Sequence, residues 1–222
     1  MNKIVVIAPH PDDETLGCGG TLLKHKKQGD QINWIIFTEI SEELGLTKKE
    51  IKLRAEQIEK IRDFYGFDSV HQLKFPSAQL DVIPMVNMIK ALGEIFHKVH
   101  PEIIYLPHQE DAHSDHRYVF DAAASCTKWF RYPSIKKILA YETLSETDFR
   151  LGDSNGGFQP NLFIDVSEFL DSKIKAMNIY ASEIKEFPFP RSEKAIRALA
   201  SLRGAAAGCE SAEAFMVLKE IW

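Results

Sequence analysis

Short apolar runs alternate along this chain with longer amphipathic stretches. Residues 4–8 form a continuous apolar run rich in β-branched side chains, the signature of a buried strand. Comparable runs at 32–38, 70–75, 103–106, 138–142 and 162–166 predict further strands, two of them closed by Pro76 and Pro107. Residues 214–222 read as a last strand, with helix as the alternative. Between the strands the apolar spacing turns helical at 15–27 (ending near Gly29), 47–65, 81–99, 114–130, 167–184 and 192–207. Thr47 and Glu50 have capping-box spacing at the start of the second helix, and Gly66 is its stop signal. Residues 143–160 carry no pattern, and a loop that long is often functional.

Strands alternating with helices imply βαβ units: an α/β fold with a mostly parallel sheet and helices on both faces. No repeat, linker or low-complexity tract divides the 222 residues, so a single domain over 1–222 is expected. Composition adds exclusions. Lys+Arg 27 against Asp+Glu 32 gives a net charge of −5 without a basic stripe, which disfavours nucleic acid as a partner. The three cysteines, Cys18, Cys126 and Cys209, are odd in number and widely spaced, so neither a disulfide framework nor a cysteine zinc site is expected. No apolar run reaches membrane-spanning length, and the one at 4–8 is too short for a signal-peptide core. Reduced thiols and the missing membrane signal give cytoplasm as the expected setting.

The chemistry concentrates in two segments. Each is a short apolar strand ending in Pro-His, followed by clustered acids and histidines. The first is Pro9-His10-Pro11-Asp12-Asp13-Glu14, and the second runs from Pro107-His108 to His113-Ser114-Asp115-His116. Four of the eight histidines fall here. In a parallel sheet both segments lie at the carboxyl edge, where such folds bind ligands. Catalytic zinc takes three protein ligands, commonly histidine and carboxylate, and keeps one position open. His10 and Asp13 are three apart and can aim at one point, with Asp12 pointing elsewhere. His113 and His116 are also three apart, and either can be the third ligand. Asp115 is placed to orient a histidine. Taken singly, each motif is weak, since Asp13 or Ser114 could simply cap a helix. Gly17-Cys18-Gly19-Gly20 lacks the spacing of a phosphate loop and reads as a close helix–sheet contact. His25, His71, His97 and His100 lie outside either cluster and read as surface or hydrogen-bonded side chains. No GxSxG elbow points to a serine hydrolase.

On these residues the chain resembles the PIG-L/LmbE-type zinc-dependent deacetylases of N-acetylglucosaminyl compounds. Pro9-His10-Pro11-Asp12-Asp13-Glu14 is similar to the family's first motif. His113-Ser114-Asp115-His116 is similar to its HxDH motif, with Ser114 where Pro is frequent. Arg203-Gly204, Gly208 and Ala212-Glu213-Ala214-Phe215 resemble its C-terminal pattern. The resemblance implies a Rossmann-like sheet, zinc on His10, Asp13 and His116, and Asp12 as general base. It further implies His113 as acid or electrostatic stabiliser and Asp115 as the partner of a histidine. Some members carry a Tyr just before HxDH as an oxyanion donor. Here that stretch is Glu110-Asp111-Ala112, so the donor stays open and Asp111 is expected to face substrate.

The expected activity is removal of an N-acetyl group from a small N-acetylglucosamine conjugate by metal-activated water. Arg54, Arg191 and Asp111 are the expected substrate contacts; the alternative for each arginine is a surface ion pair. An arginine in the pocket would favour an anionic aglycone. Three other readings compete: an amidase for another N-acyl group, an inert sugar-binding module, and a non-haem Fe(II) oxygenase. The last usually sits on an all-β fold, although Fe²⁺ in the deacetylase site suits the same ligands. Phe187 and Phe189 are candidate contacts in a homo-oligomer.

Overall fold

The computed structural model describes residues 1–151 and 157–222. Residues 152–156, inside the patternless 143–160 stretch, lie outside the described residues. Among the described residues, seven strands form one sheet: β1 (Lys3–Ala8), β2 (Gln31–Glu39), β3 (Ser69–Pro76), β4 (Ile103–Pro107), β5 (Lys137–Tyr141), β6 (Leu162–Asp165) and β7 (Ala212–Glu220). Their order is β3-β2-β1-β4-β5-β7-β6. The first five are parallel, and β7 runs antiparallel to both β5 and β6. The helices are α1 (Asp13–Lys27), α2 (Lys48–Tyr65), α3 (Met85–Val99), α4 (Ser114–Ser125), α5 (Leu170–Ile179) and α6 (Glu193–Ala207). This is the mostly parallel α/β architecture expected from the sequence.

Strand alternation builds two cores. Ile4, Val6 and Ala8 face α1, α2, α5 and α6, together with Trp34, Tyr65 and Tyr141. Val5 and Ile7 face α3 and α4, among Phe37, Leu92 and Val119. A strand buried on both sides must be apolar throughout, which is why 4–8 shows no alternation.

Several helix bounds need correction. The predicted helix at 81–99 is broken by Pro84: a single 3₁₀ turn, Leu80–Val82, precedes α3. The helix predicted at 114–130 ends at Ser125, where the Thr127 hydroxyl donates to the Ala124 carbonyl at 2.8 Å. The one predicted at 167–184 is only Leu170–Ile179; at its start, Ser167 is held outside the helix by Asp165 and Ser211. The capping box of α2 forms as expected, and Gly66 ends that helix at φ 63°.

The glycine cluster of α1 serves contact. A Cβ on Gly17 would stand 2.3 Å from the Tyr141 ring, and one on Gly20 would stand 2.7 Å from Val166. A buried ion pair reaches the α1 backbone beside them. Lys173 Nζ donates to Glu213 (2.6 Å) and to the Leu16 carbonyl (2.7 Å), while Glu213 accepts from Gly20 N and Thr21 N. The pair satisfies its own charges, as a buried pair must. It anchors the helix that begins with the motif acids. Among the described residues, no helix is long and apolar enough to cross a membrane.

Candidate active site

Strands β1 and β4 are neighbours, yet the chain proceeds from β1 outward to β2 and from β4 outward to β5. That divergence opens a crevice at their carboxyl ends, the switch point where such sheets bind ligands. The β1–α1 turn delivers His10, Asp12 and Asp13 into it. The loop after β4 and the first turn of α4 deliver Asp111, His113, Asp115 and His116.

Asp13 is the hub. Its Oδ2 accepts from the His10 backbone N–H at 2.8 Å and lies 3.4 Å from both His10 Nδ1 and His116 Nε2. These spacings exceed good N–H···O bonds but suit atoms facing one common ion. The other imidazole nitrogens are taken. His10 Nε2 stands 3.0 Å from Asp115 Oδ2, and His116 Nδ1 stands 2.7 Å from Asp111 Oδ2. Protons assigned from these partners sit on His10 Nε2 and His116 Nδ1, which turns the remaining lone pairs toward Asp13. His116 Nε2 and Asp13 Oδ1 are buried without a hydrogen-bond partner. Two orphaned atoms in a His₂Asp set are what a divalent cation would satisfy, so the residues fit such an ion. The surrounding carboxylates favour positive charge at this point, and an ion binding there would displace the protons that the imidazoles otherwise hold. Burial pulls the His10 and His116 imidazoles down, but the facing carboxylates outweigh it and push them up to about 9 and about 10. Burial raises Asp13, yet the two histidines hold it well below the usual carboxylate range.

Asp12 is buried beside this hub at φ 139°, a backbone conformation that few residues other than glycine adopt. Burial and Asp13 push its carboxyl up to about 7, against the pull of Arg191. Arg191 NH1 donates to Asp12 Oδ2 at 2.8 Å, leaving Oδ1 for other work. The Asp12 N–H donates to Glu14, itself buried and bonded to Thr15 and Tyr180. His113 lines the cleft. Its Nδ1 accepts from the Asp115 N–H at 3.1 Å, so its proton resides on Nε2. Burial, then His10, holds this imidazole below its usual range.

The expected substrate contacts are placed as follows. Asp111 faces inward: besides His116 it accepts from Thr147 Oγ1 at 2.6 Å, and it does not line the cleft. The expectation that it faces substrate is therefore corrected; its carboxylate is the acceptor for the His116 Nδ1–H. Arg54 and Arg191 do line the cleft, but the protein's own groups engage both. Arg54 donates to the Pro11 carbonyl at 2.7 Å and to Glu183. Arg191 reaches three segments: Asp12, Ser145 and Glu146 (2.7 and 3.1 Å), and Glu183 (3.7 Å). Glu146 in turn accepts from the His113 N–H at 3.1 Å. One guanidinium thus ties the first motif to the second. Glu146 and Glu183 escape a reading of the sequence because neither lies in a motif; only the length of the 143–160 stretch hints at the first. The cleft measures about 420 Å³, within the ordinary range for small-molecule sites.

Fold and site together define an α/β protein with a His₂Asp metal-type cluster at the switch-point crevice. Comparison with known proteins places it further: residues 5–127 match the PIG-L family model, described as GlcNAc-PI de-N-acetylase, and the chain belongs to that deacetylase family. It is 24% identical to the diacetylchitobiose deacetylase of Thermococcus kodakarensis, over 96% of this chain and 82% of that protein. The N,N'-diacetylchitobiose deacetylase from Pyrococcus horikoshii shares the fold with a TM-score of 0.79 at 21% identity, covering 98% of this chain and 84% of that one. GalB, the 4-carboxy-2-hydroxymuconate hydratase of Pseudomonas putida KT2440, also shares it, with a TM-score of 0.75 at 16% identity over 100% and 98% of the two chains. A fold that carries a hydratase too does not decide the reaction; the residues in the crevice must.

Proposed function

We propose that this protein hydrolyses the N-acetyl group of a small N-acetylglucosamine conjugate, with Zn²⁺ held by His10, Asp13 and His116. One observation carries the reading: Asp13 Oδ2 lies equidistant from two imidazole nitrogens whose rings are fixed by buried carboxylates. Family membership and the name of the Thermococcus relative support the acetamido sugar. The His₂Asp set suits Zn²⁺ and also Fe²⁺. When bound, such an ion supplies Lewis acidity to the acyl carbonyl and acidifies water at its open position.

The chain's own groups do the rest. Asp12 Oδ1 takes the proton of the attacking water, while Oδ2 stays fixed by Arg191. His113 Nε2–H donates to the carbonyl oxygen as negative charge develops there, a stabilisation that typically contributes about 10²–10³ in rate. The new bond joins water oxygen to the acetyl carbon. The C–N bond breaks, and the proton carried by Asp12 passes to the leaving amine, giving acetate and the glucosamine conjugate with its amine free. Arg191 acts here as a positioning residue: its fork holds the base in register with His113 through Glu146.

The test is acetate release by zinc-loaded protein from N-acetylglucosamine, its malate glycoside, UDP-N-acetylglucosamine and diacetylchitobiose, with a chelated control. Chelator-sensitive release from at least one member is expected. No release from any, with one zinc bound per chain, would move the search to other N-acyl compounds. A second expectation concerns Arg191→Met. Losing the fork should lower kcat about 10²-fold, with KM and bound metal little changed. Arg191→Lys should not restore it, since a single ammonium cannot span Asp12, Ser145 and Glu146. A KM rise at constant kcat would instead make Arg191 a substrate contact.

A further inference from the structure

The cleft has two unlike walls. On one side α2 presents Ile51, Ala55 and Ile58, spaced i, i+4 and i+7, continued by Ile40 just past β2. Such spacing puts the three helical side chains on one stripe. On the other side stand the charged groups already described. Among the described residues the lining includes no Phe, Tyr or Trp, the side chains that offer a flat face to a ring. Neither guanidinium of that lining is free for an anion. Arg54 and Arg191 are engaged by Asp12, Glu146 and Glu183, three carboxylates for two cations. The remaining charged residues of the lining, Glu39 and Lys74, are exposed and opposite in sign. Arg54 and Arg191 line the cleft as expected, but the anionic aglycone that a pocket arginine would favour meets guanidinium groups already held by the protein's own carboxylates.

We propose that the preferred substrate carries an uncharged aliphatic aglycone that lies along the Ile40–Ile51–Ile58 wall, in place of a phosphate, a nucleotide or a second sugar. This rests on the deacetylase reading for its assay, but the wall itself can be tested by binding. Burying one methylene contributes enough free energy for about a fourfold gain when burial is complete. The wall is partly exposed, so a smaller step is expected.

The experiment uses zinc-loaded protein and alkyl β-glycosides of N-acetylglucosamine from methyl to hexyl, with N-acetylglucosamine 1-phosphate and diacetylchitobiose alongside. Expected is a rise in kcat/KM of about threefold per methylene up to butyl, with the phosphate at or below the methyl glycoside and the disaccharide below butyl. Calorimetric binding of the matching alkyl glucosaminides should show a heat-capacity change that grows more negative with chain length, the mark of apolar burial. Ile51→Asn should flatten both series, whereas Val86→Asn, an exposed position on α3, should keep both slopes. A flat series in the wild type, equal turnover of the phosphate or the disaccharide, or an unchanged slope in Ile51→Asn would overturn the proposal. If no glycoside released acetate, the deacetylase reading would fail, and the binding series would still decide for or against the wall.

Discussion

Asp12→Asn is expected to lower kcat by about 10²–10⁴, the usual worth of a positioned general base, while the protein still binds one metal ion per chain. The substitution is chosen to leave the geometry alone. Asn tolerates positive φ better than most residues, so the turn at φ 139° can persist. Its amide oxygen can still accept from Arg191 NH1, and its backbone N–H can still donate to Glu14. What it cannot do is take a proton from water. Asp12 is not among the three groups that face the candidate ion, so metal content should not move. Alanine is a poorer probe, because it also frees Arg191 and would mix loss of the base with loss of the tie to Glu146. Steady-state kinetics and metal analysis on the same preparation decide the matter. Turnover within tenfold of wild type would place the base elsewhere, with Glu146 the next group to test.

How much of this the sequence reveals depends on how local the cause is. The apolar run at 4–8 and the Pro-His motifs report a buried strand and its carboxyl edge directly, so the switch-point crevice with its candidate site is legible in the sequence alone. Helix ends are less so. Pro84 breaks the helix predicted at 81–99 because a ring without an N–H competes with an otherwise strong apolar stripe. Ser167 is withdrawn from α5 by partners more than forty residues away, at Ser211. The antiparallel insertion of β7 between β5 and β6 is wholly non-local, since its composition specifies a strand but not its neighbours. The same distinction runs through the site. His10 and Asp13 are joined by one turn of chain. Arg191 meets Asp12 from 179 positions away, and nothing in the pattern around Phe187-Pro188-Phe189-Pro190 announces that meeting. Asp111 shows the opposite case: close in sequence to the second motif, yet turned inward to His116, because a buried imidazole that must present Nε2 needs an acceptor at Nδ1.

That inward turn leads to the second large effect. His116→Ala should remove both metal and activity, with bound zinc falling below about a tenth of an equivalent and turnover reaching the level of the chelated protein. Three ligands hold a catalytic zinc with one position open, and two would leave it weakly held. Alanine would also leave Asp13 and Asp111 as buried carboxylates facing a void. Removing one partner of a buried charge pair is strongly destabilising, so the variant's fold must be checked by circular dichroism. Asp111→Asn separates these causes. It keeps His116 and the packing but trades the carboxylate at Nδ1 for a neutral amide. Outer partners of this kind typically cost about 10–100-fold in metal affinity or activity when changed. Competition with a chromogenic chelator would therefore rank zinc affinity as wild type, then Asp111→Asn, then His116→Ala. Full zinc affinity in folded His116→Ala would break the assignment and shift attention to the other grouping that the structure brings together, His10, His113 and Asp115.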